Sequence, residues 1–303
     1  MRAGCSYNCG VNSARYGHSP LGILCLTLFC SSGCRKPDTE RPDHPRFNSN
    51  VVMRDVILHS VALGREMRYR VMLPNVIAPR HRLPVVYLLH GAGGDFRDWS
   101  NNSYVAQYAE AGLILVMPQG DYSYYVNAAE QPADRYEDYI VHDLLSDVET
   151  KLPIARSRAN RAIVGVSMGG FGAIKIALSH PDLFAFAGAL SPAIDVPRRP
   201  FSIKRIQQSW ALHSIFGPWG GEARHGNDPF LIARTVTAAK APYMFLSCGD
   251  GEGLLPVNRE FAAVLSQQHL SYEFHVVRGG HDWEQWDRQL PSLFARLIQH
   301  VDP

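Results

Sequence analysis

Residues 161–170 read Arg161-Ala-Ile-Val-Gly-Val-Ser-Met-Gly-Gly170. The apolar run of Ile163, Val164 and Val166 runs into Gly165-Val166-Ser167-Met168-Gly169, and residues 171–179 follow at helical spacing until His180-Pro181. A G-x-S-x-G between a strand and a helix is the signature of a nucleophile elbow. The spacing has a steric reason: the serine occupies a strained turn, and side chains two residues to either side would crowd strand against helix. The turn presents the Ser167 hydroxyl, and the helix after it aims backbone N–H groups and a partial positive charge at the same spot. A turn serine without chemistry satisfies the same short pattern, so the rest of the chain decides between the two readings.

Working outward, residues 83–89 (Leu-Pro-Val-Val-Tyr-Leu-Leu) and 113–117 (Leu-Ile-Leu-Val-Met) are unbroken apolar runs, as expected of strands buried on both faces. Residues 51–58 and 66–73 read as an opening antiparallel pair around Gly64. In 139–152, Ile140, Leu144, Leu145, Val148 and Leu152 fall near helical spacing. Segments 184–190, 243–246 and 272–277 read as further strands, and 257–268 and 283–300 as helices. This alternation predicts an α/β fold, a mostly parallel central sheet with helices on both faces. Residues 197–237, with Trp210, Trp219, Gly217, Gly220, Gly221 and Pro229, break the rhythm and read as a cap-like insertion over the active edge of the sheet.

In such sheets functional groups collect at the carboxyl ends of the strands. His90-Gly-Ala-Gly-Gly94 follows one predicted strand and offers backbone N–H groups with no side chains in the way. In hydrolases of this architecture such a turn supplies half of an oxyanion hole, here the Ala92 N–H, and the residue after the nucleophile, Met168, supplies the other half. There is no Gly-Lys-Ser/Thr and no dinucleotide fingerprint to make the turn a phosphate cradle. Cys248-Gly-Asp250-Gly-Glu252 ends a second strand with two carboxylates on a glycine turn, and Gly279-Gly-His281-Asp-Trp283 ends a third. The order Ser167, acid, His281 is that of the α/β-hydrolases. The candidate acid is Glu252 or Asp250. His90, Trp99, Tyr122, Trp283 and Trp286 either line an acyl or alcohol pocket or pack in the core. With no H-E-x-x-H and no histidines at ligand spacing, neither a metal nor a cofactor is expected.

The pieces His90-Gly-Ala-Gly-Gly94, Gly165-Val-Ser-Met-Gly-Gly-Phe-Gly-Ala173, Cys248-Gly-Asp-Gly-Glu-Gly-Leu-Leu-Pro-Val-Asn-Arg259 and Gly280-His-Asp-Trp-Glu-Gln-Trp286 resemble the esterase D family of α/β-hydrolases, from about Val51 onward. That family includes tributyrin esterases, feruloyl and acetyl-xylan esterases, S-formylglutathione hydrolases and the antigen 85 mycolyltransferases. Its tributyrin and feruloyl members carry Cys-Gly-Thr-x-Asp, whose aspartate is the triad acid. Laid on this chain without gaps, that position is Glu252, and Asp250 stands where the threonine would be. The resemblance therefore implies Glu252 as the acid, with a side chain one methylene longer than usual.

With 303 residues and 46% hydrophobic content the chain can bury the core of one α/β domain. A net charge of +2 argues against a nucleic-acid partner. Five of six cysteines lie in the first 34 residues, leaving Cys248 as a small buried hydrophobe of a body without intrachain disulfides. Arg15 and His18 precede the apolar Leu21-Gly-Ile-Leu-Cys-Leu-Thr-Leu-Phe29 and then Cys30-Ser-Ser-Gly-Cys34. Residues 1–34 thus read as an export signal or lipoprotein leader, with a lipidated Cys34 as a route to membrane attachment. Residues 35–50 read as a linker and 51–303 as the esterase domain. The location expected is periplasmic, secreted or lipid-anchored, or cytoplasmic if the leader is a mis-called start. The expected activity is a serine carboxylesterase acting through an acyl-enzyme on a small-molecule or carbohydrate-linked ester. The alternatives are an acyltransferase of antigen 85 type and an S-formylglutathione hydrolase, the latter disfavoured by an export leader.

Overall fold

The apolar runs become strands of one eight-stranded sheet in a computed structural model that describes residues 42–301. The leader expected over 1–34, including Cys34, lies outside the described residues. β1 (Val51–Ser60) and β2 (Arg65–Pro74) form an antiparallel hairpin with Val51 opposite Pro74 and Ser60 opposite Arg65. The other strands are β3 (Val85–Leu89), β4 (Ile114–Pro118), β5 (Arg161–Val166), β6 (Phe186–Leu190), β7 (Tyr243–Gly249) and β8 (Tyr272–Val277). Their order across the sheet is β1-β2-β4-β3-β5-β6-β7-β8; β3 to β8 are parallel and β2 is antiparallel to both neighbours.

From β3 the chain passes to β4 on one side, then returns to place β5 on the other. That reversal puts a topological switch point between the carboxyl ends of β3 and β5, where open α/β sheets bind ligands. The segments at those two ends are His90–Gly94 and Ser167.

Alternate side chains of each strand enter different cores. Val85, Tyr87 and Leu89 join one and Val86 and Leu88 the other; β4 divides likewise, with Ile114 and Val116 opposed to Leu115 and Met117. Both faces are dry, which is why these strands read as continuous apolar runs. The helices among the described residues are α1 (Asp98–Asn102), α2 (Ala106–Glu110), α3 (Tyr136–Asp138), α4 (Leu145–Lys151), α5 (Met168–Ser179), α6 (Ile206–Phe216), α7 (Glu222–Gly226), α8 (Pro229–Ile232), α9 (Leu255–Gln267) and α10 (Trp283–Ile298). α1, α2 and α10 contribute to the core on one face; α4, α5, α6 and α9 contribute to the core on the other.

Boundaries differ from the sequence expectation where local chemistry decides. β3 starts at Val85, because Pro84 has no N–H for the ladder; Leu83 instead bridges Ile154. The helix expected over 139–152 begins at Tyr136 and carries a π-helical stretch, Tyr139–Leu144, between α3 and α4. Asp143 in that stretch accepts hydrogen bonds from Ser60 Oγ (2.5 Å) and the Ala62 N–H (2.9 Å) of the β1–β2 turn. The segment 197–237, between β6 and β7, holds α6, α7 and α8. Residues 43–50 lie against the domain: Asp43 pairs with the buried Arg70, and Asn48 and Asn50 both donate to Glu110.

Candidate active site

Ser167 sits between β5 and α5 with φ 54° and ψ −112°, a left-handed backbone that costs a non-glycine residue about 1–3 kcal/mol. Three backbone hydrogen bonds over-determine it. The Ser167 N–H donates to the Leu190 carbonyl (2.9 Å), and its own carbonyl accepts from Phe171 (3.0 Å) and Ala193 (3.1 Å). The flanking glycines are required by contact. A Cβ on Gly165 would lie 2.1 Å from the Gly169 carbonyl oxygen, and one on Gly169 would lie 2.2 Å from that of Leu89.

The Ser167 Oγ is 2.9 Å from His281 Nε2, and His281 Nδ1 is 2.7 Å from Glu252 Oε2. An ionised carboxylate only accepts, so the Nδ1 carries the proton and Nε2 is left free to accept from the serine hydroxyl. Glu252 is buried, while His281 is exposed on the loop between β8 and α10. Burial pushes the Glu252 pKa up, but hydrogen bonds from His281, Ser191 and the Gly249 N–H outweigh it and hold the carboxyl below its usual value. Asp250, the other candidate, is exposed and accepts the Gly279 N–H (3.1 Å), bracing the loop ahead of His281 rather than bonding the imidazole.

Ser191 and the Gly249 N–H are additions that residue-type reasoning did not supply. Ser191 Oγ donates to Glu252 Oε1 (2.6 Å), accepts the Trp286 indole N–H (2.9 Å), and is itself held at φ 49°. The Gly249 N–H donates to the same carboxylate oxygen at 2.7 Å. A signal for Ser191 existed: it directly follows the apolar 186–190 run, at the carboxyl end of a strand.

The His90–Gly94 turn lies beside the serine. A Cβ on Gly91 would be 3.6 Å from Ser167 Cβ, and the turn closes with a Gly94 N–H to Gly91 carbonyl bond of 3.1 Å. Ala92 is exposed on it, and Met168 opens α5, whose first-turn N–H groups have no partner within the helix. His90 is buried, with Nε2 accepting the Gly120 N–H (2.9 Å) and Nδ1 2.8 Å from the Gly91 carbonyl. It braces the turn from behind. Trp99 is also buried, its indole N–H on the Leu89 carbonyl (3.1 Å). Trp99, Trp283, Trp286 and His281 follow edge-to-face at 5.3, 5.3 and 5.0 Å between ring centroids, so the indoles form a wall behind the imidazole. Tyr122 is exposed, edge-on to Tyr124. A cavity of about 610 Å³ opens beside His281, lined also by Arg199, Arg205, Glu252, Leu254 and Val257. The thiol of buried Cys248, under the Glu252 turn, is pushed up to about 12 by burial.

A hydroxyl, an imidazole and a buried carboxylate in series, next to backbone donors at a helix N-terminus, can perform acyl transfer. The comparisons with known proteins agree with such chemistry. The family model described as "Putative esterase" matches residues 60–297. An acetyl esterase of Caldicellulosiruptor saccharolyticus is 24% identical over 228 residues, covering 73% of this chain and 85% of that protein. The diacylglycerol acyltransferase/mycolyltransferase Ag85B of Mycobacterium leprae is 29% identical over 243 residues, covering 69% of this chain and 74% of its own length. Among solved structures, the substrate-bound fluorophosphonate-binding serine hydrolase FphF of Staphylococcus aureus superposes with a TM-score of 0.70 at 25% identity, covering 84% of this chain and 99% of that one.

Proposed function

The chain belongs to the Putative esterase family, and on that premise we propose that it is a serine carboxylesterase in which Ser167 is the nucleophile, His281 the general base and Glu252 the acid behind it. The observation that carries the assignment is the hydrogen-bonded series Ser167–His281–Glu252, at 2.9 and 2.7 Å, starting from a strained elbow. In the proposed reaction His281 Nε2 takes the Ser167 proton as Oγ bonds to the ester carbonyl carbon. The Met168 and Ala92 N–H groups receive the negative oxygen of the tetrahedral intermediate. His281 then gives its proton to the departing alcohol as the ester C–O bond breaks. It next takes one from water, which attacks the acyl-serine; the acid leaves and Ser167 is reprotonated. Glu252 holds the tautomer throughout and stabilises the imidazolium.

The substrate class we propose is a small-molecule or carbohydrate-linked carboxylic ester, in line with the acetyl esterase relative. A panel of p-nitrophenyl esters from acetate to octanoate, with feruloyl and acetylated-sugar esters, tests the reading. Ser167→Ala should lower turnover by about 10⁴–10⁶-fold with the fold intact; wild-type turnover in that variant would overturn it. The Ag85B relative favours a second reading, transfer of the acyl group to a sugar hydroxyl in place of water. Partition of product between free acid and acylated trehalose or glucose separates the two. We also propose that the chain is exported by its leader, which fractionation of cells producing the full chain would check.

A further inference from the structure

α6 is apolar on two sides. Leu212, Ile215 and Phe216 are buried against the core, as a surface helix requires. Yet Ile206 and Trp210, one turn apart on another side, are 48% and 58% exposed, and in the turn before the helix Ile203 is 81% exposed. Phe201, 50% exposed, packs edge-on against Trp210 with ring centroids 5.7 Å apart. The patch is held in place, because Ser209 Oγ accepts the Ser202 N–H (2.9 Å) and donates to the Ser202 carbonyl (3.2 Å). Trp219, 66% exposed, donates to the Arg198 carbonyl at 3.5 Å, on the segment that leads into Phe201.

The charge pattern says what meets it. From 196 to 221 the chain carries Arg198, Arg199, Lys204 and Arg205, and no aspartate or glutamate. Arg198 pairs with Glu260 and Arg199 with Asp195, while the Lys204 and Arg205 side chains have no ion pair among the described residues. Exposed aliphatic and aromatic groups interleaved with unpaired cations fit the boundary between headgroups and acyl chains of an anionic bilayer. A polysaccharide would be held by flat rings with carboxylates or amides beside them; the stretch has rings and the amides of Gln207 and Gln208, but its most exposed apolar residue is the aliphatic Ile203, which offers a sugar no hydrogen bond and suits acyl chains. No helix among the described residues is long and apolar enough to cross a membrane, so this face would rest on a bilayer rather than enter one.

We propose that this face, Phe201 to Trp210 with Trp219, docks the protein on anionic lipid bilayers. Arg205 belongs both to the face and to the cavity beside His281, so docking brings that cavity to the lipid surface. Docking is read without turnover and therefore stands or falls separately from the esterase reading, which only makes lipid-dissolved esters its natural consequence.

The test is sedimentation of the full chain with vesicles of phosphatidylcholine alone and of phosphatidylcholine mixed with phosphatidylglycerol. Binding is expected on the mixed vesicles and should weaken as salt is raised. Lys204→Gln with Arg205→Gln should weaken it roughly 30-fold. Ile203→Asn with Trp210→Ser should weaken it about tenfold or more while leaving p-nitrophenyl acetate hydrolysis within about twofold. Because all variants carry the same leader, any contribution from residues 1–34 cancels in the comparison. Equal binding to both vesicle types, or variants that bind like the wild type, would overturn the proposal. So would light scattering that shows a dimer which the Ile203/Trp210 variant converts to monomer, since the face would then belong to a second copy. Retention on acetylated xylan without vesicle binding would assign it to a polysaccharide.

Discussion

Glu252 differs from Asp250 by one methylene and two positions, and the turn between β7 and α9 separates them completely. The Glu252 carboxylate is turned inward, where Ser191, the Gly249 N–H and His281 all donate to it. Asp250 faces solvent and holds the Gly279 backbone. Glu252→Gln should therefore lower turnover by about 10³–10⁴-fold, because the amide no longer favours the required tautomer or stabilises the imidazolium. Asp250→Asn should stay within a few-fold of wild type. Steady-state kinetics on both variants, with circular dichroism to confirm the fold, decides the matter; a dead Asp250→Asn beside an active Glu252→Gln would exchange the two roles.

At the scale of elements, α5 carries more than the elbow. Lys175 lies in its middle, buried, paired with Glu137 of α3, and the other oxygen of Glu137 meets His180 Nε2 at 2.9 Å. Burial alone would push the Glu137 carboxyl up, but His180 and Lys175 hold it down; burial lowers the Lys175 pKa against the pull of Glu137. This network ties α5, and so the Ser167 turn, to the α3–α4 segment. Glu137→Gln leaves a buried ammonium without a counter-charge and should cost about 3–5 kcal/mol of unfolding free energy. Adding Lys175→Met should recover most of that loss. Urea titrations measure both, and a double variant no more stable than Glu137→Gln alone would show that pairing is not the cause.

For the whole molecule, the domain reaches back past Val51. Arg70, buried on β2, donates to Asp43 (2.7 and 2.9 Å), to Asp55 (2.7 and 2.9 Å) and to Ser100 Oγ (2.9 Å). The Arg46 N–H joins the Ser100 carbonyl at 2.8 Å, and its guanidinium lies 4.9 Å from the Tyr104 ring centre. A chain starting at residue 51 should unfold with about 1–2 kcal/mol less stability than one starting at 42, the modest figure reflecting the 36% exposure of the Asp43 side chain. Hydrogen bonding to Arg70 holds the Asp43 carboxyl below its ordinary 3.8. Its contribution is thus present above that pH and lost as pH falls through the folded value. The difference between the two chains should accordingly shrink in acid, which urea midpoints at pH 7 and at about pH 3 would reveal.

The sequence by itself determined the α/β alternation, the elbow at Ser167 and the order of serine, acid and histidine. It could do so because these depend on local matters: strands dry on both faces read as apolar runs, and the strained turn admits only glycine two residues to either side of the serine. What depends on distant segments meeting stayed hidden. Ser191 and the Gly249 N–H are 61 and 3 residues from Glu252, and the chain alone does not say that they converge on one carboxylate. For His90 the chain left pocket lining and core packing both open, and only the fold shows both its ring nitrogens engaged by backbone groups. Which of the two carboxylates in one turn meets the imidazole was likewise a matter of which way each side chain points. Tertiary structure decided that contact, because only the packed sheet brings β6, β7 and the loop after β8 close enough for donors on three separate segments to converge on the Glu252 carboxylate.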